Sequence, residues 1–109
     1  MSPERRDIRP TRDFYLDLER QLPAERGARG EPSRTDFETY DLLLIFERFA
    51  TGWDDLPRLI PGRDDYRVLI SAGVLVRALS VEGQLARDGV IELVRLTIDT
   101  SWPDNDFDP

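Results

Sequence analysis

The sequence predicts a small α+β domain made of a short N-terminal strand, two helices and a three-stranded antiparallel meander. Three observations lead to this prediction. The stretch from Tyr66 to Asp99 contains three short runs rich in β-branched residues, separated by polar turn residues. Two earlier segments, 12–22 and 33–50, carry apolar residues at helical spacing. The links between the three runs are short, and short links join antiparallel strands because parallel pairs need long crossovers.

The first strand and the first helix are predicted from residues 7–22. Residues 7–10 (DIRP) suit a sheet edge, where a proline is tolerated because it has no N–H to donate. Thr11 is a suitable N-cap for a helix over 12–22, since its hydroxyl can accept from a free N–H of the first turn. Pro23 ends this helix, and residues 24–32 are predicted to form a loop. The residues at four-residue spacing that face the core are Phe14, Leu18 and Leu22.

The second helix is predicted to extend from Ser33 to Ala50. Thr35 and Glu38 have the T-x-x-E spacing of a capping box, in which two side chains satisfy free N–H groups reciprocally. The helix is apolar on most sides, which predicts burial by the sheet and the first helix, with a surplus for a groove or dimer face. Gly52 is predicted to end it as a C′ glycine. The link over 53–65 is predicted to close the core with Trp53, Leu56, Leu59 and Ile60.

The three meander strands are predicted at 68–70, 74–81 and 90–98. Ser71 to Gly73 provides the first reversal, and 82–89 forms a polar loop with Asp88 and Gly89 as its turn residues. Side chains alternate between the two faces of a strand. The last strand is therefore expected to present one face made of Val90, Glu92, Val94, Leu96 and Ile98.

Composition limits the function. The 109 residues carry a net charge of −7, which argues against a nonspecific nucleic-acid binder because such proteins carry a basic surplus. The sequence has no Cys and no His, which removes thiol catalysis and the commonest general base and metal ligand. No apolar run is long enough for a membrane span and no secretory leader is evident. We expect a cytoplasmic protein without cofactor or metal, with one domain over 1–99 and an acidic tail over 100–109.

Three arginines, Arg67, Arg77 and Arg95, lie among apolar residues of the predicted strands. One interpretation is that their stems pack on the sheet while the guanidinium groups stay in water, paired with nearby carboxylates. The alternative is a basic strip that binds a phosphate or carboxylate partner. Surface ion pairs are common, which favours the first interpretation.

The order of elements and several local patterns resemble the RelE/ParE superfamily, the toxin components of bacterial type II toxin–antitoxin systems. Residues 8–18 (IRPTRDFYLDL) resemble that family's first strand leading into an F-x-x-x-L helix. Residues 59–62 (LIPG) with 66–70 (YRVLI) resemble its approach to the first meander strand, and 74–83 and 90–99 resemble the remaining strands. The resemblance spans nearly the whole chain and is one of pattern.

This resemblance implies a toxin-type domain that pairs with an antitoxin. Ribosome-dependent members cleave mRNA with basic residues on the meander, and Arg67 and Arg77 match such positions as catalytic candidates. The basic residues expected after the last strand are replaced by residues 99–101 (DTS), and Trp102, at the place of the C-terminal catalytic residue, cannot transfer a proton. The ParE branch binds DNA gyrase and needs no catalytic set.

We therefore expect a domain that acts mainly by protein–protein binding. The expected partner is a cognate antitoxin, with the ribosome or DNA gyrase as target. The alternatives are a ribosome-dependent mRNA endoribonuclease and a non-toxic interaction module or homodimer with the same fold, so enzyme activity stays open. Besides Arg67 and Arg77, the expected partner-binding residues are Tyr40, Phe46, Phe49, Trp53 and Arg95.

Overall fold

A computed structural model describes residues 5–28 and 30–99; the predicted tail over 100–109 lies outside them. The fold is α+β, as the sequence predicts. Among the described helices, none combines the length and apolar character needed to cross a membrane. The elements in chain order are β1 (Ile8–Pro10), α1 (Arg12–Gln21), α2 (Arg34–Thr39), α3 (Asp41–Gly52), a 3-10 turn (Trp53–Asp55), β2 (Tyr66–Ser71), β3 (Ala78–Leu85) and β4 (Ile91–Asp99).

The four strands form one mixed sheet in the order β1-β4-β3-β2. The last three strands pair antiparallel in sequence order, whereas β1 lies parallel to β4 with Ile8 opposite Ile91. A three-stranded antiparallel meander alone is therefore an incomplete description of the sheet. The position of β1 at an edge agrees with Pro10, which has no N–H to give to a further strand.

Helix α1 begins as the sequence predicts and is fastened to the sheet by its cap. The Thr11 hydroxyl accepts a hydrogen bond from the Phe14 N–H and donates one to the Leu93 carbonyl at 2.9 Å. One residue thus ends β1, starts α1 and holds the helix over β4. The buried face of the helix contains Phe14 and Leu18, with Leu22 following at its C-cap.

The predicted second helix is two helices, α2 and α3, separated by a break at Tyr40 (φ −110°, ψ −63°). The capping box is also two residues earlier than expected. The Ser33 hydroxyl accepts from the Asp36 N–H at 3.1 Å, and the Asp36 carboxylate accepts from the Ser33 N–H at 3.0 Å. Thr35 lies inside α2, so the T-x-x-E prediction is wrong. Ser33 and Asp36 form the same reciprocal pair with a shorter acid.

The strand boundaries differ from the predictions at both turns. Residues 72–77 form a loop, so the second meander strand begins at Ala78, and it continues to Leu85 through part of the predicted polar loop. A register shift between Glu82 and Gly83 allows this extension. The shift leaves Val94 without a counterpart in β3, as in a β-bulge.

The bulge changes which residues of β4 face the core. All helices pack on one face of the sheet, where Ile91 and Leu93 are buried before the bulge and Leu96 and Ile98 after it. The strict alternation predicted for this strand is therefore wrong. Within the link that follows α3, Trp53 and Leu56 are buried as expected, whereas Leu59 and Ile60 are exposed.

Candidate protein-binding site

Arg67 is a structural residue of the connection between α3 and β2. Its side chain is 9% exposed. The Nε atom donates to the Asp64 carbonyl at 3.0 Å, and Nη1 donates to the carbonyls of Asp54 and Leu56 at 3.2 and 2.8 Å. The guanidinium also lies over the Trp53 ring. The expectation of a guanidinium in water is therefore wrong for Arg67, whose Nε and Nη1 donate to the protein's own main chain.

The structure does not bring the predicted arginines together. Arg67 pairs with Gly83, whereas Arg77 is exposed in the loop before Ala78, the first residue of β3. At about 3.3 Å per strand residue, the two backbone positions are about 20 Å apart. Arg95 is exposed, and its Nε lies 3.9 Å from the Glu82 carboxylate. Arg67, Arg77 and Arg95 therefore lie apart and do not form a cluster that could bind one phosphate group.

Tyr66 lies beside Glu82 on the sheet face that carries no helix. Its hydroxyl donates to the Glu82 carboxylate at 3.0 Å. Burial, followed by this hydrogen bond, raises the pKa of Tyr66 above its usual value. The phenol is thereby held in its protonated form, which suits a hydrogen-bond donor and does not suit a general base.

The predicted apolar contact residues occupy different depths. Tyr40 is 54% exposed, and Phe46 is half-buried against the core. Phe49 and Trp53 are core residues, with ring centroids 6.2 Å apart. Because their side chains are buried, Phe49 and Trp53 lie outside the contact surface.

The exposed apolar residues that sequence reasoning missed lie next to Tyr40. Leu43 is 59% exposed and Leu44 is 54% exposed. Together with Tyr40 they form the apolar strip, a name used below for these three residues. Their i, i+3, i+4 spacing places them on one side of α3, opposite Leu42 and Phe49. A helical-wheel reading of 41–52 could have found them once the helix was known to begin at Asp41.

A cavity of about 210 Å³ lies between α3 and the sheet, with Leu44 of the apolar strip in its lining. Its apolar walls are formed by Leu44, Ile45, Leu69 and Leu79, and Arg48 stands at its rim. Small-molecule sites usually measure about 300–1,000 Å³. This cavity is smaller, and a single apolar side chain of a partner suits it better than a free metabolite.

Asp41 holds the loop that borders this surface. Its carboxylate is buried at the first turn of α3 and accepts from the N–H groups of Val74 at 2.5 Å and Leu75 at 3.0 Å. Gly73 fits because a Cβ there would lie 2.7 Å from the Val76 carbonyl oxygen. The loop is thereby fixed in a form that leaves the Val74 side chain exposed, and its first residue, Ala72, lines the cavity.

The described ranges contain no group of three or more His, Cys, Asp or Glu residues arranged to hold a metal ion. Comparison of the chain with protein-family models, with curated proteins and with solved structures finds no match.

Proposed function

We propose that this chain is a RelE/ParE-like toxin-type domain of a bacterial cytoplasm, which pairs with an antitoxin and acts mainly by protein–protein binding. The observation that carries the proposal is the apolar strip beside the cavity. Three large apolar side chains exposed together, at the N-cap and near the start of α3, differ from the scattered exposed leucines of ordinary surfaces. Tyrosine is enriched among the side chains that dominate binding energy at interfaces, and Leu44 of the strip also lines the cavity.

The geometry supports binding better than ribonuclease activity. In a phosphate-cleaving site, several cations converge on the charge that develops in the transition state. Here the Arg67 guanidinium is engaged by three carbonyls, and Arg77 lies about 20 Å away along the sheet. The sequence offers no His, Lys or Cys for proton transfer. An interaction with the antitoxin, and with gyrase or the ribosome as target, requires none of these groups.

The proposal is tested by inducing the chain in a related bacterium and measuring growth against protein level. We expect growth arrest with the wild-type chain, relief by co-expression of an antitoxin encoded beside its gene, and loss of arrest with Leu43→Glu. The control is Leu16→Glu, which places the same charge on a leucine of α1 that is 38% exposed. Leu16→Glu should arrest growth as the wild type does, because α1 contributes nothing to the apolar strip.

Two results would count against the proposal. Normal growth at high soluble expression would exclude the toxin hypothesis and leave a non-toxic interaction module or a homodimer. If Leu43→Glu still arrests growth, the apolar strip is not required for toxicity. If arrest occurs, message ends at codon-phased positions would favour the ribonuclease, whereas an early block of DNA synthesis would favour gyrase binding.

A further inference from the structure

The β4 side of the sheet is covered along its described length. Strand β1 pairs with residues 91–93 of β4. Further along β4, Asp17 accepts from the Leu96 N–H at 3.0 Å, while Gln21 accepts from the Ile98 N–H and donates to the Leu96 carbonyl. Side chains of α1 thus satisfy main-chain groups that no neighbouring strand reaches. A strand edge covered in this way cannot pair with another chain.

The opposite edge, along β2, is covered over only part of its length. The Val68 N–H donates to the Pro57 carbonyl at 3.0 Å, and the Leu59 N–H donates to the Tyr66 carbonyl at 3.1 Å. Main-chain groups alternate in direction along a strand. The N–H and carbonyl of Ile70 therefore point away from β3 like those of Tyr66 and Val68, but they lie beyond the segment that covers those two residues. This leaves a short pairing template at Ile70.

The open part of β2 lies between two apolar surfaces. On the face of the sheet that carries the helices, Leu69 of β2 lines the cavity together with Leu44 of α3. On the other side Ile70 is 72% exposed. A strand added at this edge would direct alternate side chains to opposite faces of the sheet. One apolar residue of that strand could enter the cavity, and its two neighbours would pack on Ile70.

The charge at the cavity rim specifies the partner further. Arg48 has no ion-pair partner within 5–28 and 30–99, although it stands at the cavity. The acids nearby are already engaged: Glu47 binds both terminal nitrogens of Arg5, and Asp41 binds main-chain N–H groups of the 72–77 loop. An acidic residue two positions from the cavity residue of an added strand would lie on the same face and could meet Arg48.

We propose that β2 accepts an extended segment of the partner protein at Ile70, with an apolar side chain in the cavity and an acidic side chain against Arg48. Main-chain hydrogen bonds to Ile70 would supply affinity, and the cavity and Arg48 would supply selectivity. This inference rests on the proposed function, since it specifies the chemistry of the partner at the surface assigned there. The segment would have the sequence pattern apolar-x-acidic or acidic-x-apolar, where x is any residue.

The test uses a display library of random twelve-residue peptides selected on the intact chain. Selected peptides are synthesised, and their dissociation constants are measured by fluorescence anisotropy against the wild type and three variants. Ile70→Pro removes an N–H that points away from β3, so the pairing of β2 with β3 is kept; edge strands tolerate such a proline. Arg48→Glu reverses the exposed charge at the rim. Leu16→Glu on α1 is the matched control.

We expect the selected peptides to share the apolar-x-acidic pattern. Their affinity should fall about tenfold or more in Ile70→Pro, which lacks one main-chain hydrogen bond and the exposed isoleucine side chain. Arg48→Glu should weaken binding by about tenfold and shift the preference from acidic to basic residues. Leu16→Glu should bind as the wild type does. The exposed Arg48 substitution keeps the test valid if Ile70→Pro does not fold.

The inference is overturned if no peptide is selected, if the selected peptides lack the pattern, or if both Arg48→Glu and Ile70→Pro bind them as the wild type does. The proposed function fails on different evidence, because normal growth after induction leaves the peptide measurements unchanged. Growth arrest that Leu43→Glu relieves, combined with failed peptide selection, would keep the proposed function and reject strand addition. A partner helix on the apolar strip would then be the binding mode.

Discussion

The guanidinium of Arg67 lies 5.6 Å from the centroid of the Trp53 ring, and both side chains are buried. The same guanidinium binds carbonyls at both ends of the link that joins α3 to β2, at Asp54 and Leu56 on one side and Asp64 on the other. The Arg67 side chain thus holds the 3-10 turn and the loop that follows it next to the start of β2.

Arg67→Ala is expected to lower the free energy of unfolding by about 2–4 kcal/mol. The substitution removes a cation–π contact and leaves the Leu56 carbonyl without its buried donor. Urea denaturation of the two chains measures the difference. Arg95→Ala removes an exposed arginine and is expected to change the same quantity by less than about 0.5 kcal/mol. Equal stability of the two variants would contradict a structural role for Arg67.

Two glycines offer a matched pair for testing the packing under α3. A Cβ at Gly83 would lie 2.5 Å from a ring carbon of Phe49, whereas one at Gly52 would have no heavy atom within 4 Å. Because overpacking of a core costs about 1–3 kcal/mol, we expect Gly83→Ala to destabilise the chain by that amount. Gly52→Ala should be neutral or slightly stabilising. The measurement is the thermal unfolding midpoint of each variant. A midpoint for Gly83→Ala that is not below that of Gly52→Ala would contradict the prediction.

Smaller side chains at the neighbouring position should partly relieve the crowding at residue 83. In the double variant Gly83→Ala with Phe49→Leu, the two unfavourable effects should sum to more than the measured loss, because leucine leaves room for the added methyl group. Strict additivity of the two free energies would mean that Phe49 is not the source of the strain.

Asp41→Asn tests the attachment of the 72–77 loop. One acceptor oxygen is replaced by an NH₂ group that faces a main-chain N–H donor of Val74 or Leu75. We expect a loss of about 1–3 kcal/mol, the usual cost of an unsatisfied buried polar group. Amide hydrogen exchange should show faster exchange at Val74 and Leu75. The exposed Glu38→Gln substitution in α2 should leave both amides as protected as in the wild type.

Acid should destabilise the chain through the start of α2. The Arg26 guanidinium, followed by the Ser33 N–H, holds the pKa of Asp36 well below its usual range. The folded chain therefore binds this proton more weakly than the unfolded chain does. The stabilisation is complete above the unfolded pKa of about 3.9 and is lost as the pH falls through that value towards the lower folded pKa.

Asp36→Asn is the variant that isolates this effect. It should be less stable than the wild type at neutral pH, and its stability should fall less steeply between about pH 5 and pH 2. Urea midpoints measured across that range give both quantities. The pKa values of Glu47, Asp65 and Asp88 are lowered as well, by Arg5, Arg63 and the Val90 N–H respectively, so Asp36→Asn should keep part of the acid sensitivity. Parallel curves for the two chains would remove Asp36 as a contributor.

Local sequence signals predicted the parts of the fold that depend on local physics. The cap at Thr11, the apolar spacing of α1 and the β-branched runs each identify an element without knowledge of its neighbours. The break at Tyr40 was not predictable in this way, because the Asp41 carboxylate at the start of α3 binds main-chain N–H groups of the distant 72–77 loop. Next to the bulge, Phe49 occupies the space above Gly83, a long-range contact that local sequence signals do not show.

The sequence predicted an apolar contact surface on the second helix but not most of the residues that form it. The apolar surplus of the second helix was visible in the sequence, and Tyr40 was named from it. Which of its leucines would be exposed depended on where α3 begins, so Leu43 and Leu44 were missed. The burial of Arg67 depended on carbonyls supplied by a link whose path no periodicity encodes.

The parallel pairing of β1 with β4 has a consequence for folding. Arg9 and Glu92, opposite each other in that pair, are 83 residues apart in the sequence. Contacts of such separation form slowly because a long loop must close before they contribute. During synthesis, β1 and the start of α1 leave the ribosome long before their partner strand exists. The order of translation therefore makes completion of this sheet a late event, and the β4 edge is exposed until the first strand returns to it.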